Sequence, residues 1–165
     1  MINWVSVIAA AFVPLIVGFI WYNPKVMGTK WMELSGVTPE SAKESNMVKV
    51  FGISLLCSFI LAFIIPTFTI HQMGFQSMMM GAPDLQNATS DTSIWYNGLM
   101  TKYADNYRTF KHGAFHGTLV GLFLVMPVLV TNSLFERKSM KLAFINVAYW
   151  TISIALMGGI VCQKW

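Results

Sequence analysis

The chain has 165 residues, of which 55% are hydrophobic and only 11% charged, with a mean hydropathy of +0.57. Soluble domains carry about 25% charged residues, so this composition excludes an ordinary water-soluble globule, and the apolar content excludes a disordered chain. Eleven Lys and Arg against seven Asp and Glu give a formal charge of +4, but no basic stripe or nucleic-acid motif accompanies the excess, which reads as a membrane-topology signal.

Four apolar runs, about 3–22, 50–69, 113–132 and 142–163, approach the roughly 20 residues a helix needs to cross the hydrocarbon. None contains Asp, Glu, Lys or Arg. Alternating ten-residue strands of the outer-membrane barrel type are missing. The expected fold is all-α: one integral membrane domain over 1–165, a four-transmembrane-helix bundle with a long extramembrane segment, 70–112, between the second and third helices.

The first run lacks a positively charged leader, and Trp21-Tyr22-Asn23-Pro24 is no small-residue cleavage site, so it is expected to be retained. Pro14 predicts a kink within it. Pro24 drives Asn23 out of the helical region and ends the helix. Trp21, Tyr22 and Trp31 flank this exit as membrane-interface aromatics. Thr38-Pro39-Glu40 reads as an N-cap, a first-turn proline and a first-turn acid. A helix is expected to run from there through Lys43 and Lys49 into the second run. The two cysteines, Cys57 and Cys162, lie inside apolar runs and read as small buried hydrophobes.

Residues 70–112 combine Met73, Met78, Met79, Met80 and Met100 with Trp95, Tyr96, Tyr103, Tyr107 and Phe110, around a polar, turn-like middle. Two short helices lying on the membrane or on a partner are expected, since a connection this long in a compact bundle is usually functional.

In the third run, Gly113, Gly117 and Gly121 recur every four residues and leave one helix face bare, which lets another backbone approach closely. Ala155 and Gly159 offer a shorter face of the same kind in the fourth run. The spacing leaves open whether the partner is internal or a second subunit. His112 and His116 lie one turn apart and share a face, a spacing that can hold Zn²⁺ or copper. His71 falls on the same side of the membrane, and the nearby methionines are soft ligands suited to Cu(I). The competing expectation is an interfacial His112, with His116 bonded to a backbone carbonyl or to Asp105. Asn132 and Asn146, near the opposite ends of their helices, read as interhelical hydrogen-bonding or capping amides.

Seven basic residues (Lys25, Lys30, Lys43, Lys49, Arg137, Lys138 and Lys141) lie on one side of the spans and four (Lys102, Arg108, Lys111 and Lys164) on the other. The positive-inside rule then places 23–49 and 133–141 in the cytoplasm. Both termini and 70–112 are expected outside, in the periplasm if the membrane is a bacterial inner membrane or its equivalent.

Three stretches together resemble a known family. They are Gly18-Phe19-Ile20-Trp21-Tyr22-Asn23-Pro24 with Gly28 and Trp31; His112-Gly113-Ala114-Phe115-His116-Gly117; and Pro127 with Thr131-Asn132-Ser133-Leu134-Phe135-Glu136, followed by Lys141, Asn146 and Tyr149-Trp150. In this order they resemble the DUF1761 family of small integral membrane proteins of unknown function. The resemblance covers most of the chain outside about 70–110, which is longer and richer in Met than the family pattern. It implies the four-helix layout and brings no activity or catalytic residues.

No Ser or Cys comes with a His and an acid on one membrane face, and no phosphate-binding glycine loop occurs. Neither an enzyme nor a bound cofactor is therefore expected. The leading expectation is an accessory or structural subunit of a larger membrane complex, or a homo-oligomer. Its partners would be lipids and other subunits or itself, and not nucleic acid. The alternative is a small-solute or metal transporter or ligand-handling protein acting as a dimer, with His116 as the histidine inside a span.

Overall fold

The computed structural model describes residues 3–164, apart from the side chain of residue 42. Its regular structure is helical, with no strand among the described residues. Four helices long and apolar enough to cross a membrane run Trp4–Trp21, Met47–Thr69, Phe110–Phe135 and Met140–Cys162. The second and third begin ahead of the apolar runs because each starts at its own cap. Asn46 Oδ1 accepts from the Lys49 amide at 3.0 Å, and Thr109 Oγ1 from the His112 amide at 3.2 Å.

Proline interrupts the first three spans. The first breaks at Phe12, just before Pro14, into Trp4–Ala11 and Val13–Trp21. This is the expected kink, and the Tyr149 hydroxyl of the fourth span donates to the Pro14 carbonyl at 2.9 Å. The second breaks at Ile65, next to Pro66. The third widens into a π turn at Gly121–Val125 before Pro127. In each case the proline lacks an N–H and its ring crowds the preceding turn. The fourth span has no proline and is one helix of 23 residues, about 35 Å long at 1.5 Å per residue.

That unbroken helix is the axis of the bundle. It packs against both the first and the third spans. The core joins Val7, Ala10, Val13 and Val17 of the first span to Ala62 and Ile65 of the second and to Ile154, Met157 and Val161 of the fourth. The first and second spans also meet, with Trp4 stacked on Phe63 at 5.8 Å. Ser6 and Ala10 on one, and Ser58 and Ala62 on the other, are buried. These are two small-residue pairs at four-residue spacing, each suited to close helix approach. Met126–Phe135, the far half of the third span, buries no residue and leaves Val128, Leu134 and Phe135 exposed, as a lipid-facing surface requires.

Two sequence expectations need correction. The helix that begins at Pro39 ends at Glu44, and Asn46, with extended backbone (φ −72°, ψ 92°), starts a separate one. The Asn46 cap therefore breaks the continuous helix expected through Lys43 and Lys49. Cys57 is exposed on the outer face of the second span, whereas Cys162 is buried, and both are free thiols. The 70–109 segment does form two short helices, His71–Met79 and Asp91–Lys102.

Candidate metal centre

The glycine stripe finds its partner within the chain. A Cβ at Gly113 would overlap the Gly158 carbonyl and Cys162 Cβ. One at Gly117 would stand 2.8 Å from Ala155 Cα and 2.9 Å from the Ile154 carbonyl carbon, and one at Gly121 2.7 Å from Thr151 Cα. The third and fourth spans thus touch backbone to backbone, and Ala155 lies in the seam as expected. Gly158 faces Gly113, while Gly159 makes room for the Phe110 ring, whose Cε2 would be 2.6 Å from an added Cβ.

This seam also orients the histidines. Successive helical residues are 100° apart, so fixing Gly113 and Gly117 against the fourth span turns His112 and His116, their immediate predecessors, to the flank of that seam. The end of the second span supplies the third imidazole. Thr69 is fully buried, and its carbonyl accepts the Cys162 thiol at 3.2 Å. Ile70 is buried with extended backbone, and the chain then turns into a helix whose first residue is His71.

The three rings converge. His71 Nε2 and His112 Nε2 are 2.9 Å apart, a hydrogen bond in which one ring donates and the other accepts. Ring centroids are 4.9 Å apart for His71 and His112, 5.0 Å for His71 and His116, and 4.5 Å for His112 and His116. One nitrogen from each ring lies within 4.8 Å of the others, with His71 exposed and the other two half-buried. Ligands about 2.0–2.1 Å from a tetrahedral zinc ion are roughly 3.3 Å from one another, so small rotations of the rings would complete a three-nitrogen site. The cluster consists of imidazoles alone, and an ion held by neutral ligands keeps its full charge.

Several residues that sequence reasoning missed fix this corner. Tyr107 packs its ring against His71 (5.7 Å) and His112 (5.0 Å), and its carbonyl, 3.4 Å from the Cys162 sulfur, shares the one S–H with the Thr69 carbonyl. Arg108 Nε donates to the Cys162 carbonyl at 2.7 Å, capping the fourth span. Gln72 Nε2 donates to the carbonyls of Tyr103, Ala104 and Asn106 at 2.8, 3.3 and 2.9 Å. Asp105 pairs with Lys164, which corrects its expected pairing with His116. Of the methionines, Met78 and Met80 are exposed, and Met100 lines a pocket beside His71.

A family model described as "Protein of unknown function (DUF1761)" matches residues 5–162. The chain belongs to the DUF1761 family. The DUF1761 match runs through the 70–110 segment that the three motif stretches left out, and it includes His71, His112 and His116. No curated protein and no solved structure matches the chain.

At the opposite end of this DUF1761 bundle, the interface aromatics form a polar-tipped cluster. Tyr22 lies edge-on to Trp31 at 5.2 Å and against Tyr149 at 5.1 Å. Its hydroxyl donates to Asn146 Oδ1 at 3.2 Å, the interhelical bond expected of that amide. Burial, and then neighbouring Tyr149, push the Tyr22 phenol well above its ordinary range, so it stays a donor. Trp21 is half-buried beside them, and its indole N–H has no partner among the described residues. Asn132 is exposed.

Proposed function

We propose that this small multi-pass membrane protein binds one first-row transition metal ion through His71, His112 and His116 at one face of the membrane, and so acts as a ligand-handling rather than a catalytic protein. The observation that carries this reading is the convergence of three imidazoles, two from the third span and one from the short helix that follows the second. Two of them come from one helix face, while the third is brought back across 41 residues of sequence. An ionisable residue within a spanning helix, as His112 and His116 are, is by default a candidate for a functional site, and a transition metal is well matched to imidazole nitrogen.

The glycine stripe, one of the supports for an accessory subunit or homo-oligomer beside the aromatic-rich outer segment and the lack of charged intramembrane residues, is covered by the fourth span. The remaining surface, the exposed apolar residues of the second and third spans, is what lipid alone would cover. The seven-to-four distribution of basic residues supports placing the histidine face outside the cytoplasm, at a bacterial inner membrane or its equivalent.

The test is direct. Protein carrying a tag free of histidine is purified in mild detergent, stripped with a chelator and titrated separately with Zn²⁺, Co²⁺ and Cu²⁺. Bound metal is counted by elemental analysis after desalting. The expected result is one ion per chain, lost in His112→Ala and in His71→Ala. Equal stoichiometry in those variants, or no retained metal in the parent, would overturn the reading.

A further inference from the structure

An open pocket of about 330 Å³ lies beside His71, lined by residues of the outer segment. His71 and Tyr107 belong to its wall, with Phe75, Leu99, Met100 and Tyr103. The volume falls within the roughly 300–1,000 Å³ of small-molecule pockets, which are mostly apolar with a few placed polar groups. Its shape is held from outside. Phe75 is stacked on Tyr96 at 5.5 Å and edge-on to Trp95 at 5.9 Å. Gln72 clasps the His71–Met79 helix to the 103–106 loop through its three carbonyl bonds.

Two features tie this hollow to the histidines. His71 belongs to both, so a metal on its Nε2 would lie at the cavity's edge. Tyr107 also belongs to both, and its backbone is held at φ 60°, a conformation that non-glycine residues adopt mainly where the surroundings impose it. Three neutral imidazoles leave a tetrahedral ion one open position and its whole charge.

From this we infer that the cavity binds a small, largely apolar ring compound whose electron-pair donor, such as an azole nitrogen, completes the coordination of the metal. The ring lies among Phe75, Leu99, Met100 and Tyr103, and the donor points toward the histidines. The inference rests on the metal reading above and specifies what that site recognises.

The probe is 4-phenylimidazole, compared with imidazole, on the full-length protein loaded with Co²⁺ and followed by its visible ligand-field bands. Burying the phenyl ring should make 4-phenylimidazole bind about tenfold or more tightly than imidazole. Met100→Trp, which fills the hollow and replaces no metal ligand, should keep the cobalt bands and abolish the preference. Leu99→Trp is the second filling variant, in case the first does not fold. Equal affinity of the two probes in the parent, or a preference that survives filling, overturns this inference and leaves the metal reading intact. Absence of cobalt bands in the parent overturns both.

Discussion

Tyr107 and Arg137 are the two non-glycine residues at positive φ among the described residues, at 60° and 55°, and they separate strain that serves a site from strain that serves a turn. Each costs on the order of 1–2 kcal/mol. Arg137 sits in the exposed turn between the third and fourth spans, far from the histidines. The Tyr107 carbonyl is held in place: it accepts from the Thr109 amide at 2.9 Å and shares the Cys162 S–H with the Thr69 carbonyl. Glycine at either position relieves the backbone, so Arg137→Gly should leave the melting temperature in detergent unchanged or slightly raised, whereas Tyr107→Gly also gives up its ring contacts with the two histidines and should gain nothing. Only Tyr107→Gly removes the ring that flanks His71 and His112. Zinc titration should therefore show weaker binding in Tyr107→Gly and unaltered binding in Arg137→Gly. If both variants bind zinc like the parent, the tyrosine ring plays no part in holding the imidazoles.

At the scale of the element, the seam between the third and fourth spans is the feature on which the site depends. Gly117→Ala sets a methyl group against the Ala155 and Ile154 backbone, which cannot rotate away as a side chain could. The spans must separate, at about 1–3 kcal/mol for overpacking, and His116 moves with them. Gly98, in the Asp91–Lys102 helix, has nothing within 4 Å of an added Cβ. Gly98→Ala should instead stabilise by about 0.5–1 kcal/mol through helix propensity. Thermal melts of the two variants should shift in opposite directions, and Gly117→Ala should also lose metal affinity.

The four-residue glycine period was plain in the sequence because a helix repeats its faces along its own axis. Its register against the partner was not, and for that reason Gly158 rather than Gly159 meets Gly113. The same limit governs the histidines. The i, i+4 pair follows from one helix, whereas the approach of His71 depends on how Pro66, Thr69 and Ile70 end the second span against the fourth. Tyr107, Arg108 and Gln72 left no sequence signal because their partners are distant backbone carbonyls or rings that only the folded chain brings near. The break at Asn46 was missed for the opposite reason: a local cap overrode a helical pattern that looked continuous on both sides.

At the scale of the whole molecule, the antiparallel order of the spans gathers all three histidines, the 70–109 segment and Arg108 at one face, and the Tyr22–Asn146 cluster with Lys25, Lys30 and Lys141 at the other. The compartment that face meets decides what the metal site can draw on, because cytosolic chelators and thiols hold soft metals tightly whereas an outside face samples a less buffered pool. The basic residues favour the outside assignment by seven to four, and cytoplasmic retention acts on basic residues near span ends rather than on net charge. Lys25, Lys49 and Lys141 each stand within a few residues of a span end at the lysine-rich face. On the histidine face, Lys111 is similarly close to a span end, Arg108 is engaged with the Cys162 carbonyl and Lys164 is paired with Asp105. Single cysteines placed at exposed Ser77 and exposed Ser41 separate the two orientations, with the parent protein as background for Cys57 and Cys162. A membrane-impermeant maleimide applied to intact cells should label Ser77→Cys at once and Ser41→Cys only after lysis. The reverse pattern would place the histidines in the cytoplasm, while labelling of both in intact cells would mean that the chain inserts in two orientations and presents its site to both compartments.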